Sequence, residues 1–338
     1  MAFPFRPADG ESETQFLVQD PFQLRKQVLP LLTVDKADGF LSGLGTSFLA
    51  DPFGTFLTAE HVLKEHFETP ELREGAVAAA LFGMGLVYGT VGLRSEFFAP
   101  ISDIQFWRRV HEEQSPLFGT ASPPQIMADA VGFHVDATKV PGSKFAPPLP
   151  LRLSGARPQV GDRVMALGYP ELTCLRHDSP DRALIFTERM YGAVGTVRSL
   201  LPQGRGSMYP WPLIEVEAHW RSGMSGGPVI NEAGEVVGLV SFSLEPGDGL
   251  PGVGYATDLA GIGIDRLVPT LDPLNSGFYR CHGVLRSSPW HLSSVFLDRE
   301  QAEEHLATLC PGYEVRFGSH RFGSDDFVSV LPTHNGHA

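Results

Sequence analysis

A glycine-bracketed serine, Gly223-Met224-Ser225-Gly226-Gly227-Pro228, constrains this 338-residue chain more than any other stretch. Glycine has no Cβ, so Gly223 and Gly226 can take backbone angles that other residues resist, and the serine between them can sit on a tight turn. Such a turn can point several backbone N–H groups into one space beside a hydroxyl. Acyl transfer requires that arrangement: a nucleophile next to donors that receive the oxyanion of a tetrahedral intermediate. Glycine-rich turns are also common, and taken alone the motif fits a purely structural turn.

A second motif lies far upstream. Residues 43 to 62 read Gly-Leu-Gly-Thr-Ser-Phe-Leu-Ala-Asp-Pro-Phe-Gly-Thr-Phe-Leu-Thr-Ala-Glu-His-Val. Two apolar β-type runs, 47–50 and 55–58, flank Asp-Pro-Phe-Gly, which predicts a hairpin. His61 follows the second run, where a short helical turn can begin. A lone histidine is more often a surface or core residue than a catalyst, but the serine motif stands about 160 residues later. A histidine, then a carboxylate, then a serine is one of the chain orders known for the Ser-His-Asp triad.

With these motifs the chain resembles the trypsin/chymotrypsin-fold serine peptidases. The resemblance rests on Leu57-Thr58-Ala59-Glu60-His61-Val62, on the Gly223–Pro228 turn, and on Val237-Gly238-Leu239-Val240-Ser241-Phe242. Pro251-Gly252-Val253-Gly254-Tyr255-Ala256 echoes the family's next strand more weakly, and Val160–Pro170 resembles the first strand of the second barrel in bacterial members. It implies an all-β fold of two packed six-stranded antiparallel barrels with the site in the cleft between them. It also implies a serine endopeptidase acting on protein or peptide substrate, with His61 as base, Ser225 as nucleophile, and the N–H groups of Gly223 and Ser225 as the oxyanion hole.

Two residues compete for the acid. Asp103, in Ser-Asp-Ile-Gln-Phe-Trp, has the more ordinary separation from His61, 42 residues, but stands 58 before Gly161. Asp129, in Ala-Asp-Ala-Val-Gly-Phe-His-Val, stands 32 before Gly161 and has the better local pattern of small and apolar residues. Long surface inserts between histidine and acid carry little entropic cost, so the larger separation is tolerable. Asp129 is preferred and Asp103 stays open as the alternative.

By the resemblance, the residue six before the nucleophile, His219, lies at the floor of the substrate pocket. Ser241, Phe242, Ser243, Gly252 and Gly254 line its walls. No acid occupies the floor position, so a preference for Lys or Arg is not implied. A protonated His219 would favour an acidic side chain, a neutral one a polar residue, and a hydrogen-bonded core histidine is equally compatible. Where secreted relatives carry an acidic residue that pairs with a new N-terminus, this chain has Met224, so no N-terminal cleavage is expected for activation. Any control would then fall to loop ordering, a partner protein or a ligand.

Composition excludes several other classes. The net charge is −13 and no Lys/Arg block forms a phosphate-binding patch, which argues against nucleic acid. No apolar run reaches the length of a membrane span, and the first residues lack the features of a signal peptide. Three cysteines, Cys174, Cys281 and Cys310, are too few for a disulfide framework. They read as small buried apolar residues, and a cytoplasmic setting follows. No metal-ligand spacing and no cofactor motif appears. A catalytically silent module of the same fold, binding peptide without turnover, is the alternative to an enzyme.

The expected organisation is an N-terminal extension (1–35), a peptidase domain (36–270, barrels divided near 150) and a small C-terminal α/β appendage (271–338). Within the extension, 16–18 and 27–32 can pack as strands or a short helix. The long stretch 66–127 contains a strand-and-turn segment at 83–90 and a loop at 115–124. In the appendage the pattern predicts strands at 291–297, 312–317 and 326–331, and a helix over 298–309 capped by Asp298.

Overall fold

The computed structural model describes residues 3, 6–19, 24–35, 41–68, 76–81, 91–92, 98–109, 125–135, 149–170, 172–175, 185–187, 189–247 and 252–329. The segments 83–90 and 115–124 lie outside them.

The chain begins with a two-residue strand, β1 (Phe16–Leu17), and then enters the first barrel. Its staves are β2 (Val28–Asp35), β3 (Leu41–Leu49), β4 (Thr55–Thr58), β5 (Ala76–Leu81), β7 (Phe98–Arg109) and β8 (Gln125–Val135), closed in the order β2-β3-β4-β8-β7-β5. Between β5 and β7 lies the short β6 (Val91–Gly92). The predicted hairpin is the β3–β4 pair. Asp51 makes its turn: one carboxylate oxygen accepts from the Phe53 and Thr55 N–H groups at 2.9 Å each, and Gly54 takes φ +98°. Phe56 and Phe133 face each other across β4 and β8 with ring centroids 5.8 Å apart, a cross-strand pair that contributes roughly 0.5–1.5 kcal/mol beyond its burial. Strand β2 falls in the stretch expected to be an extension. Its Val28, Leu29, Leu31 and Leu32 are fully buried because the barrel cannot close without it.

The second barrel uses β9 (Arg163–Gly168), β12 (Tyr191–Leu201), β13 (Leu213–Glu217), β14 (Pro228–Asn231), β15 (Val236–Leu244) and β16 (Val253–Asp258). They pair as β12-β13-β16-β15-β14-β9, and β9 pairs again with β12, so the six strands form a hydrogen-bonded ring. Strand β1 adds to its edge at β12. Two short strands, β10 (Thr173–Leu175) and β11 (Ile185–Thr187), form a separate small sheet with β6. The architecture is the expected all-β, chymotrypsin-like pair of barrels. Fully buried Tyr169 fastens the two, its hydroxyl donating to the Val28 carbonyl at 2.8 Å.

The C-terminal part is a four-stranded antiparallel sheet, ordered β18-β17-β19-β20, with one helix packed on it. Strands β18 (Trp290–Phe296), β19 (Glu314–His320) and β20 (Phe327–Ser329) and the helix Arg299–Leu306 match the expected pattern in kind. Strand β17 (Tyr279–Ser287) lies where the pattern predicts no strand; its Tyr-Arg-Cys-His-Gly run carries glycine and charge that mask the alternation. Asp298 takes the extended N-cap conformation, but its side chain makes no capping bond to the backbone. Cys281 is buried on β17 as expected, whereas Cys310 is exposed, because it lies beyond the helix in a solvent-facing turn. No helix among the described residues is long and apolar enough to cross a membrane.

Candidate active site

Strand β4 ends at Thr58, and α1 (Glu60–Glu68) starts two residues later, so His61 stands in the first turn of the helix. Asp129 lies mid-strand on β8, which pairs with β4. That pairing brings two residues 68 apart in sequence into contact. The Asp129 carboxylate takes the His61 ring Nδ1 at 2.9 Å and also accepts from the His61 backbone N–H at 3.1 Å. It thereby fixes both the ring and the start of the helix. Ser241, on β15, donates its hydroxyl to the same carboxylate in a short hydrogen bond. Thr257, on β16, donates to the Asp129 carbonyl at 3.2 Å. Two second-barrel strands thus hold an acid that belongs to the first barrel.

The electrostatics follow from this packing. The Asp129 side chain is 7% exposed. Burial alone would raise its pKa, but the His61 ring bond and charge, with the Ser241 and His61 backbone donors, hold it below the usual 3.8. His61 is half exposed. Desolvation disfavours its imidazolium, yet the bond and charge of Asp129, with the charge of Glu60, outweigh it and raise the pKa above 6.5.

The Gly223–Pro228 turn is held differently. Gly223 and Gly226 take φ +91° and +82°. A Cβ on Gly226 would stand 2.0 Å from Thr58 Oγ1 and 2.3 Å from the Thr46 carbonyl, so the turn presses directly on the first barrel. Thr46, on β3, supplies the clamp: its N–H donates to the Ser225 carbonyl at 2.9 Å and its hydroxyl donates to the Gly223 carbonyl at 2.7 Å. That hydroxyl also accepts from the Tyr169 N–H at 3.1 Å. The N–H groups of Gly223 and Ser225 donate to no backbone carbonyl among the described residues. Met224 is fully buried in the core of the second barrel, so the residue that departs from the secreted pattern is a packing residue.

Contacts link the two halves in series. Ser225 Oγ donates to the Ser241 carbonyl at 3.4 Å, the Ser241 hydroxyl reaches Asp129, and Asp129 reaches His61. A cavity of about 300 Å³ opens beside this chain, lined by His61, Asp129, Ser241, Phe242, Tyr209, Trp211, Glu60 and Lys64. Phe242 stacks between Tyr209 and Tyr255, at 4.1 and 4.6 Å between centroids. Asp103 is not brought here. It sits on β7 at an irregularity in the β7–β8 pairing, exposed and with φ +49°, beside Gln105 and His134.

The six residues expected to line one pocket divide into two groups. Ser241 and Phe242 face the His61 cavity. His219, Ser243, Gly252 and Gly254 gather instead around Trp220. Its ring lies so close to Gly254 that a Cβ there would come within 2.5 Å, and a Cβ on Gly252 would meet His219 at 2.8 Å. The Ser243 hydroxyl accepts from the Trp220 N–H at 3.2 Å. His219 Nε2 lies 3.4 Å from Glu245 Oε2, so a positive charge on His219 is met within the chain. This weakens the expectation of an acidic side chain in that pocket.

Sequence reasoning passed over Thr46, Glu60, Arg108 and the aromatic pair Tyr209 and Trp211. Glu60 had a signal, since it directly precedes His61. The others act across the fold and carry none. The described residues contain no cluster of three or more His, Cys, Asp or Glu side chains able to hold a metal ion.

Residues 45–239 match the family model of the trypsin-like peptidase domain. No curated protein sequence matches the chain. Among solved structures, the active form of the Rv3671c protease from M. tuberculosis aligns at 16% identity over 76% of this chain and 87% of its own, with a TM-score of 0.40. Deg5 aligns at 16% identity over 74% and 89%, with a TM-score of 0.41. These superpositions add nothing to the fold beyond what the strand pairing already gives. The match of the family model over more than half of the sequence decides the assignment: the chain belongs to the trypsin-like peptidase domain family.

Proposed function

We propose that this peptidase hydrolyses peptide bonds through Ser225, His61 and Asp129, by way of an acyl-enzyme. The observation that carries this reading is the two-point hydrogen bonding of Asp129 to His61, with Ser225 joined to the same carboxylate through Ser241. In the reaction the Ser225 hydroxyl turns from the Ser241 carbonyl to His61 Nε2 as substrate arrives, a tightening typical of catalytic hydrogen bonds. His61 takes the proton while Ser225 Oγ attacks the scissile carbonyl. Asp129 holds the tautomer and stabilises the imidazolium. The N–H groups of Gly223 and Ser225 receive the oxyanion, each donor contributing on the order of 3 kcal/mol to the transition state. His61 then protonates the leaving amine, and water releases the acyl group with His61 again as base.

A raised His61 pKa places the acid limb of kcat/KM above pH 6.5, since the base must be neutral to act. Cleavage of a mixed peptide library by the purified chain, absent in Ser225→Ala, tests the reading. A second reading, peptide binding without turnover, draws on the Ser225 hydroxyl being bonded to Ser241. Peptide retained intact at high protein concentration decides for it.

A further inference from the structure

The residue before His61 is a buried acid with a partner of its own. Glu60 is 2% exposed, and its Oε1 accepts from Arg108 Nη2 at 2.6 Å and Nε at 3.0 Å. Its Oε2 is buried and has no hydrogen-bond partner among the described residues. Unsatisfied buried acceptors are rare enough to call for an explanation. The pair also has a direction. Glu60 lines the cavity that holds His61 and Asp129, whereas Arg108 lines a separate cavity with Trp107, Met127 and Arg266. The ion pair therefore spans the wall between two spaces with its negative end toward the imidazole. Arg108 stands on β7, which pairs with the strand that carries Asp129. The start of α1 is thus anchored twice, by Asp129 through His61 and by Arg108 through Glu60.

We propose that Glu60, held by Arg108, is a positioning residue for His61: a second carboxylate that favours the imidazolium during proton transfer and fixes the helix turn on which the ring stands. This rests on the peptidase reading above. The charged and titratable groups facing the site are Arg108 from β7, Asp129 from β8, and His61 and Lys64 from α1. Burial outweighs Arg108 and raises the Glu60 pKa, while the Glu60 charge raises that of His61. Removing Glu60's charge must therefore make His61 easier to deprotonate and its imidazolium less stable.

The test is an NMR titration of the ¹⁵N-labelled His61 ring in the full chain, in Glu60→Gln, in Arg108→Gln and in the double variant. A parallel pH profile of peptide hydrolysis is recorded for each. The Glu60→Gln ring should titrate at lower pH than the wild-type ring. Its acid limb should move the same way, and its plateau kcat should fall on the order of five- to tenfold with KM little changed. Arg108→Gln takes the cation from the buried carboxylate, so the charge that Glu60 presents to His61 changes and the ring should no longer titrate as in the wild type. The double variant should shift it no further than Glu60→Gln alone. A folded Glu60→Gln protein whose ring titrates as in the wild type overturns the proposal, as does an additive double variant. If Glu60→Gln unfolds, the Arg108→Gln titration decides in its place: a ring shifted in either direction supports the proposal, and an unshifted ring overturns it. The ring titration needs no turnover, so failure of the peptidase reading appears separately, as a normal His61 shift without any hydrolysis.

Discussion

The two halves of the candidate active site are built by opposite means. The acid–base half is assembled from side chains: Asp129 collects the His61 ring, the His61 backbone and the Ser241 hydroxyl. The proposed nucleophile half is held chiefly through its backbone: left-handed glycines, and the Gly223 and Ser225 carbonyls that the Thr46 hydroxyl and N–H clamp. Side-chain assembly leaves the backbone ordinary and places its demands on chemistry. Backbone assembly places its demands on space, and a single methyl group can break it. Substitutions should accordingly cost activity in the first half and stability in the second.

The largest expected effect separates the two carboxylates. Asp129→Asn should keep the protein folded but lower kcat by about 10⁴, because the amide favours the wrong imidazole tautomer. Steady-state hydrolysis by the folded variant measures this, and a loss below tenfold would dissociate Asp129 from the triad. In the nucleophile half, Gly226→Ala should destabilise by about 3 kcal/mol, through left-handed strain and overpacking against Thr58 and Thr46. Gly234→Ala is the control: φ is +76° there but nothing lies within 4 Å, so about 1 kcal/mol is expected. Equal denaturant midpoints for the two variants would contradict the spatial account of the turn.

Thr46→Val tests the clamp that joins the halves. It removes the donor to the Gly223 carbonyl and the acceptor of the Tyr169 N–H, at a cost of about 1–3 kcal/mol. A thermal melt unchanged from wild type would show that the clamp contributes nothing. The smallest effect belongs to Asp103→Asn. This side chain is exposed at a strand irregularity away from His61, and kcat/KM should stay within about twofold of wild type.

The same contrast explains what was legible in the sequence. Glycines forced by left-handed angles announce a turn locally, and the β3–β4 hairpin that delivers His61 has its own Asp-Pro-Phe-Gly signature. The proposed acid had no local signature strong enough to decide it. Its contact with His61 arises from β4–β8 pairing across 68 residues, so both candidates stood open. The pocket was harder still. Gly252 and Gly254 look like pocket walls in a one-dimensional pattern, but their missing Cβ atoms make room for His219 and Trp220. Strand β2 lies in the stretch expected to be an extension: its buried Val28–Leu32 run has no alternation, and so no polar face that would mark it as a barrel stave.

The central claim is that Ser225 is the nucleophile activated by His61. Fluorophosphonate labelling followed by peptide mapping tests it most directly. The account predicts one adduct, on Ser225, absent in Ser225→Ala and formed far more slowly in His61→Ala. An adduct on another serine, or none on the folded wild-type chain, would contradict it.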